Sequence, residues 1–165
     1  LAFDMLRRSG GSSFAVIDPL AETYSVSGRA RAFVAACRAQ SAPVDVIRPP
    51  EQDYQNGVAA ADIFADLATP VDAVFGTTDL LALGFLDGLR RQGKSVPGDV
   101  QLVGFDDIEQ AGWLGYDLTT IRQDSEPAAC RAVTLILDRI AHPDRLYEVN
   151  QIPMTPVYRG TTKAI

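Results

Sequence analysis

At 165 residues the chain is long enough for one well-buried α/β domain and short for two. With 15 Lys+Arg against 21 Asp+Glu its net charge is -6, a field that opposes polyanions and argues against direct nucleic-acid contact by this segment. The 47% hydrophobic and 22% charged shares are those of a globular protein, and no apolar run approaches the roughly 20 residues of a membrane helix.

The opening LAFDMLRRSGG reads as the last turns of a helix stopped by Gly10, so Leu1 is not expected to be the biological N-terminus. Phe14–Ile17 is a four-residue apolar strand ending at Asp18-Pro19. A helix over residues 25–40 follows, with Val26, Ala30, Phe33, Val34 and Cys37 on one stripe. Val44–Ile47 is the next strand and Pro49-Pro50 opens a loop. A helix over 55–67 is expected to bury Val58, Ala61 or Ile63, Phe64 and Leu67. Then come a strand over 73–75, the polar turn 76–79, a helix over 80–92 and a strand over 100–105. Past Asp107 the spacing predicts a short helix at 108–114, an extended piece at 118–121, and a helix over 128–141 with Ser125 as its N-cap. Extended segments at 147–152 and 156–158 close the chain. Cys37 and Cys130 both fall in predicted helices and are expected to be reduced and buried, which fits a cytosolic protein.

Alternating helices and short, continuously apolar strands predict an α/β fold: a doubly wound parallel sheet flanked by helices. Ligands of such sheets bind beyond the carboxyl ends of the strands. Two strands here end in polar groups, Thr77-Thr78-Asp79 and Asp106-Asp107, which together make a pocket hypothesis.

Several runs carry a more specific message: Arg29–Phe33, Asp72-Ala-Val-Phe with Thr78-Asp-Leu-Leu-Ala-Leu-Gly84, Val96-Pro97 with Asp99-Val100, Val103-Gly-Phe-Asp-Asp107, Leu118-Thr-Thr-Ile-Arg-Gln123, and Arg159-Gly-Thr-Thr162. In this order and spacing they resemble the effector-binding core of the LacI/GalR family of transcriptional regulators, which shares the type I periplasmic-binding-protein-like fold. The resemblance implies that residues 1–118 form the C-terminal lobe, 119–144 the return segment of the N-terminal lobe, and 145–165 the closing strands. Most of the first lobe and the DNA-binding headpiece are not expected in this segment. It also implies a sugar-like effector held between lobes, a homodimer, operator DNA bound only through the headpiece, a cytoplasmic location with no membrane contact, and no metal or other cofactor.

Carried over residue by residue, the family's ligand positions fall on Arg29, Asp106, Thr78, Tyr54, Gln123, Thr23 and Ser25. A guanidinium at Arg29 donates paired hydrogen bonds and a carboxylate at Asp106 accepts from vicinal hydroxyls. The plainer alternatives are a solvated helix arginine and a cap for the helix near Ile108, a local role that suits Asp107 better. Thr78 stands where the family often has Asn, which changes the hydrogen-bonding reach. Tyr54 offers an aromatic face, or else packs on its own loop. Ser25 also reads as an N-cap, and Gln123 as an ordinary linker residue. Asp79 is expected to be structural, in the first turn of its helix. The resemblance places dimer contacts on Leu80, Leu83, Leu86, Trp113 and Tyr116, a buried core tryptophan being the simpler account of Trp113. The stripe Val133, Ile136, Leu137 and Ile140 is expected to meet a second copy or another part of the chain, or to stay exposed.

An enzyme is not expected. The single histidine, His142, precedes a proline far from any strand end, and no phosphate loop or metal-spaced cluster is present in the sequence. Asp79 with Asp106 as an acid/base pair of an α/β enzyme is a remote alternative. A periplasmic sugar-binding protein of a transporter is the nearer rival.

Overall fold

The computed structural model describes residues 1–21 and 23–164. Four parallel strands, β1 (Phe14–Ile17), β2 (Val44–Ile47), β3 (Ala73–Gly76) and β4 (Gln101–Val103), lie in the order β2-β1-β3-β4. Helices α1 (Ala2–Arg8) and α2 (Tyr24–Ala39) cover one face, and α3 (Tyr54–Ala65) and α4 (Asp79–Arg91) the other. Successive strand residues point to opposite faces. Phe14, Val16, Phe75 and Val103 therefore join the α1/α2 core, while Ala15, Ile17, Val74 and Leu102 join the α3/α4 core. That division is why β1 and β3 are apolar without alternation. Phe3, Phe14, Phe33 and Phe75 form a ring cluster with centroids 5.1–6.4 Å apart.

On the other face α3 and α4 meet backbone to backbone. A β-carbon at Gly84 would collide with the Tyr54 carbonyl, and one at Gly57 with the Leu81 carbonyl. Asp53 caps α3 through the Asn56 amide at 2.8 Å, and Thr78 caps α4 through the Leu81 amide at 3.3 Å. Both supply acceptors for otherwise orphaned first-turn amides.

Beyond β4 the chain runs through a 3-10 turn (Glu109–Gly112) into β5 (Thr120–Gln123), then α5 (Ser125–Ala141) and β6 (Met154–Val157), which pairs antiparallel with β5. The segment entering β5 runs beside β4: the Gly104 amide donates to the Thr119 carbonyl at 2.8 Å and the Asp106 amide to the Ile121 carbonyl at 2.9 Å. The C-terminal stretch stitches onto the same edge, where the Thr161 hydroxyl donates to Leu102 O and accepts from the Thr119 amide.

Several expectations are corrected. β4 stops at Val103, because from Gly104 onward the backbone bonds pass to the segment entering β5. α2 begins at Tyr24 with Thr23 as N-cap, so Ser25 lies inside the first turn. α5 begins at Ser125 with Asp124 as N-cap, so Ser125 is not the cap. The expected helix at 108–114 is a single 3-10 turn, and residues 147–152 form no strand. Of the alternatives Ala61 and Ile63 it is Ala61 that α3 buries, together with the small residues Gly57 and Ala60, and Ile63 is exposed. Cys37 is buried, with its thiol pushed up to about 11 by desolvation, whereas Cys130 is exposed because no residue of α5 is buried. Within this single chain the α5 stripe of Val133, Ile136, Leu137 and Ile140 is exposed, so no other described part of the chain buries it.

Candidate effector site

The carboxyl ends of β1, β3 and β4 converge at one rim, and α2 brings Arg29 to it from the side. Arg29 Nη1 donates to the Thr77 carbonyl at 2.9 Å. Its Nη2 lies 3.4 Å from Asp106 Oδ1, and the guanidinium sits 3.7 Å above the Phe105 ring. Gln123 Nε2, from β5, donates to the same Asp106 oxygen at 3.0 Å. Two side chains from distant stretches, Arg29 and Gln123, thus close on the Asp106 carboxylate. Burial pushes the Asp106 carboxyl above its ordinary range, although Arg29 and Gln123 pull the other way. Burial likewise lowers the Arg29 guanidinium against the opposing pull of Asp106 and Asp79. The side chains of Arg29 and Asp106 remain 18% and 32% exposed, so both can be reached by a guest. Asp106, Gln123 and their neighbours line an open hollow of about 570 Å³.

Asp79 supports this rim from beneath. It is fully buried, accepting from the Thr120 hydroxyl at 2.6 Å and the Ile108 amide at 2.9 Å. Its carboxyl is raised, first by burial and then by the nearby Asp106 and Asp107. Gly104 makes room for it, since a β-carbon there would strike Asp79 Oδ1. The expectation of a structural Asp79 gains content: it joins the start of α4 to β5 and to the turn after Asp106.

The remaining candidates are distributed differently. Thr78 directs its hydroxyl to the α4 cap. Thr23 and Ser25 are exposed at the start of α2. Tyr54 is the first residue of α3 and not a loop residue; its hydroxyl donates to Asp87 Oδ2 at 2.7 Å, as does that of Tyr116 at 3.0 Å. This bond to Asp87 pushes the Tyr54 phenol up to about 12. Tyr54 thus belongs to a second cluster between α3, α4 and the turn after the 3-10 segment. Among the dimer candidates Leu83 and Leu86 are buried in this chain's own core, within the cluster shared by α3, α4 and the sheet. They are corrected from surface to interior. Leu80 is 46% and Trp113 50% exposed, which removes the buried-core account of Trp113. Tyr116 is half-buried.

Sequence reasoning missed three participants. Phe105 read as one more apolar strand residue, although its place directly before Asp106 marks it as the platform under Arg29. Arg122 and Arg159 both reach Asp107, at 3.6 and 2.7 Å, and Arg159 lay within the C-terminal motif without an assigned task. Asp107 is not the expected helix cap: the residue preceding the 3-10 turn is Ile108, and no side chain caps it. Among the described residues no group of three or more His, Cys, Asp or Glu is placed to hold a metal, and no helix is long and apolar enough to cross a membrane.

The sequence profile of the periplasmic binding protein-like domain matches residues 3–162, nearly the whole chain. The chain belongs to that family. Within the periplasmic binding protein-like domains its relatives are transcriptional regulators, as the LacI/GalR resemblance implied. The HTH-type transcriptional regulator CelR of Thermobifida fusca is 40% identical over 87 residues, 53% of this chain and 26% of CelR. The ribose operon repressor of Bacillus subtilis is 35% identical over 104 residues, 63% of this chain and 32% of the repressor. A LacI family transcriptional regulator from Enterococcus faecalis, solved with bound ribose, superimposes with a TM-score of 0.86 at 25% identity, covering 100% of this chain and 60% of that one. The domain thus spans 26–34% of the length of curated relatives such as CelR and the PurR repressors.

Proposed function

We propose that this domain is the effector-sensing portion of a LacI-type transcriptional regulator, binding a neutral, hydroxyl-rich small molecule, most simply a sugar. The observation that carries the reading is the convergence of Arg29, Asp106 and Gln123 on one rim at the carboxyl ends of the strands. A carboxylate and a carboxamide serve vicinal hydroxyls, and an arginine stacked on an aromatic ring is a rigid donor. The Arg29 charge already faces Asp106, and Asp79 lies close by. An incoming phosphate would meet this local negative charge, which favours an uncharged guest. Ribose bound in the Enterococcus neighbour fits that chemistry.

In this reading residues 1–118 are one lobe, 119–144 belong to the other and 145–165 close the fold. The effector biases lobe closure by binding one arrangement more tightly, and operator DNA is contacted through a headpiece outside this segment. The protein works in the cytoplasm, without turnover of its effector and without a cofactor. Leu80, Trp113 and Leu114 are exposed apolar residues, and in this reading they are available to a second copy. The periplasmic transporter reading is not favoured, since the relatives named above are regulators.

Calorimetric titration of the complete regulator with D-ribose, D-glucose, cellobiose and D-ribose 5-phosphate tests the proposal. A neutral sugar is expected to bind, and Arg29→Ala and Asp106→Ala each to weaken it by about tenfold or more. Unchanged affinity in both variants, or a marked preference for the phosphate, refutes it.

A further inference from the structure

We propose that Asp107 is a positioning residue: through Arg122 and Arg159 it fixes the turn that presents Asp106, and so links that carboxylate to the two strands leaving and re-entering the domain. The inference deepens the effector reading above and rests on it. Asp106 and Asp107 have φ of 118° and 56°, two successive non-glycine residues with positive φ. L-residues hold such conformations where the surroundings over-determine them.

The flanks of the turn are pinned on both sides. The Asp106 amide donates to Ile121 O, and the Ile108 amide donates to Asp79 Oδ2. Between them Asp107, its side chain 9% exposed, is gripped by Arg159 Nη2 at 2.7 Å and Arg122 Nη1 at 3.6 Å. Arg159 is itself fixed, its Nη1 donating to Leu118 O at 2.8 Å and its amide to Thr119 Oγ1 at 2.9 Å. The partners follow the strand's alternation. On β5, Arg122 reaches Asp107 while its neighbour Gln123 reaches Asp106. Any twist of β5 therefore moves a partner of each carboxylate together. Helix capping does not account for Asp107, since the 3-10 turn has no side-chain cap.

Asp107→Asn and Arg159→Gln, made in the isotope-labelled complete regulator, test this. Asparagine keeps the local tolerance for positive φ, so the first change isolates the charge. Asp72→Asn is the control, its carboxylate serving Ser12 and Ser13 at the opposite end of the sheet. The readouts are the strong intraresidue amide-to-α-proton nuclear Overhauser effect that marks positive φ at Asp106, and the guanidinium resonance of Arg29. Both are expected to change in Asp107→Asn and Arg159→Gln and to stay put in the control. D-ribose affinity is expected to fall about tenfold in Asp107→Asn. If both variants keep the wild-type Asp106 and Arg29 signals and lose only stability, Asp107 is a plain ion pair and the proposal falls. If Asp107→Asn does not fold, Arg159→Gln decides in the same way. Spectral changes in a protein that binds none of the sugars would leave the positioning role supported and refute the effector reading alone.

Discussion

The Arg29–Asp106 pair gives a quantitative test of the rim. At 3.4 Å the attraction between unit charges lies between about 1 kcal/mol at the dielectric of water and about 5 kcal/mol at an effective value of 20. The side chains are 18% and 32% exposed, and burial is the largest influence on both groups, so lost hydration offsets most of the gain. A net coupling of about 1 kcal/mol is expected. Arg29→Met also removes the donor to Thr77 O and the contact with Phe105, for a total loss of about 2–3 kcal/mol. Asp106→Asn is expected to cost about 1 kcal/mol. Urea unfolding of the wild type, the two single variants and the double variant yields the coupling as the departure from additivity. A coupling below about 0.3 kcal/mol would show that the two groups do not act as a unit, and would refute the electrostatic account of the rim.

Two further outcomes concern Asp79. Gly104→Ala is expected to force its carboxylate away from Thr120 and to destabilise the domain by about 3 kcal/mol in urea unfolding, whereas a loss under about 1 kcal/mol would mean that the buried contact yields freely. Because the folded-state pKa of Asp79 is raised, the stability it contributes is complete below the ordinary carboxylate range and is lost as pH climbs through the raised value. Asp79→Asn does not titrate, so its stability relative to wild type should improve from about pH 3 to about pH 7. A difference that stays flat with pH contradicts the raised value.

Much of the fold was legible because local and long-range signals agree. Phe14–Ile17 and Val44–Ile47 were placed to the residue, since an apolar run between turn residues has little alternative. The meeting of Arg29 with Asp106 was foreseeable only through strand-end logic and motif order, as 76 intervening residues carry no local trace of it. What failed had tertiary causes. Whether Leu83 and Leu86 or Leu80 face the sheet depends on how α4 is rolled, and helical spacing alone does not fix that roll. Tyr54 was drawn into helix and away from the rim by a carboxylate 33 residues on, Asp87. The reversal at Asp106-Asp107 had no glycine to announce it; two arginines, one of them near the chain's end, stabilise it from a distance.

The glycine seam between α3 and α4 has a mechanical consequence. Where helices touch through interdigitated side chains, a push on one is absorbed by rotamer changes, but Gly57 and Gly84 leave main chain against main chain with nothing to reshuffle. A displacement at the Tyr54 end of α3 therefore reaches α4 through main-chain contact at this seam, and α4 begins beside the exposed Leu80.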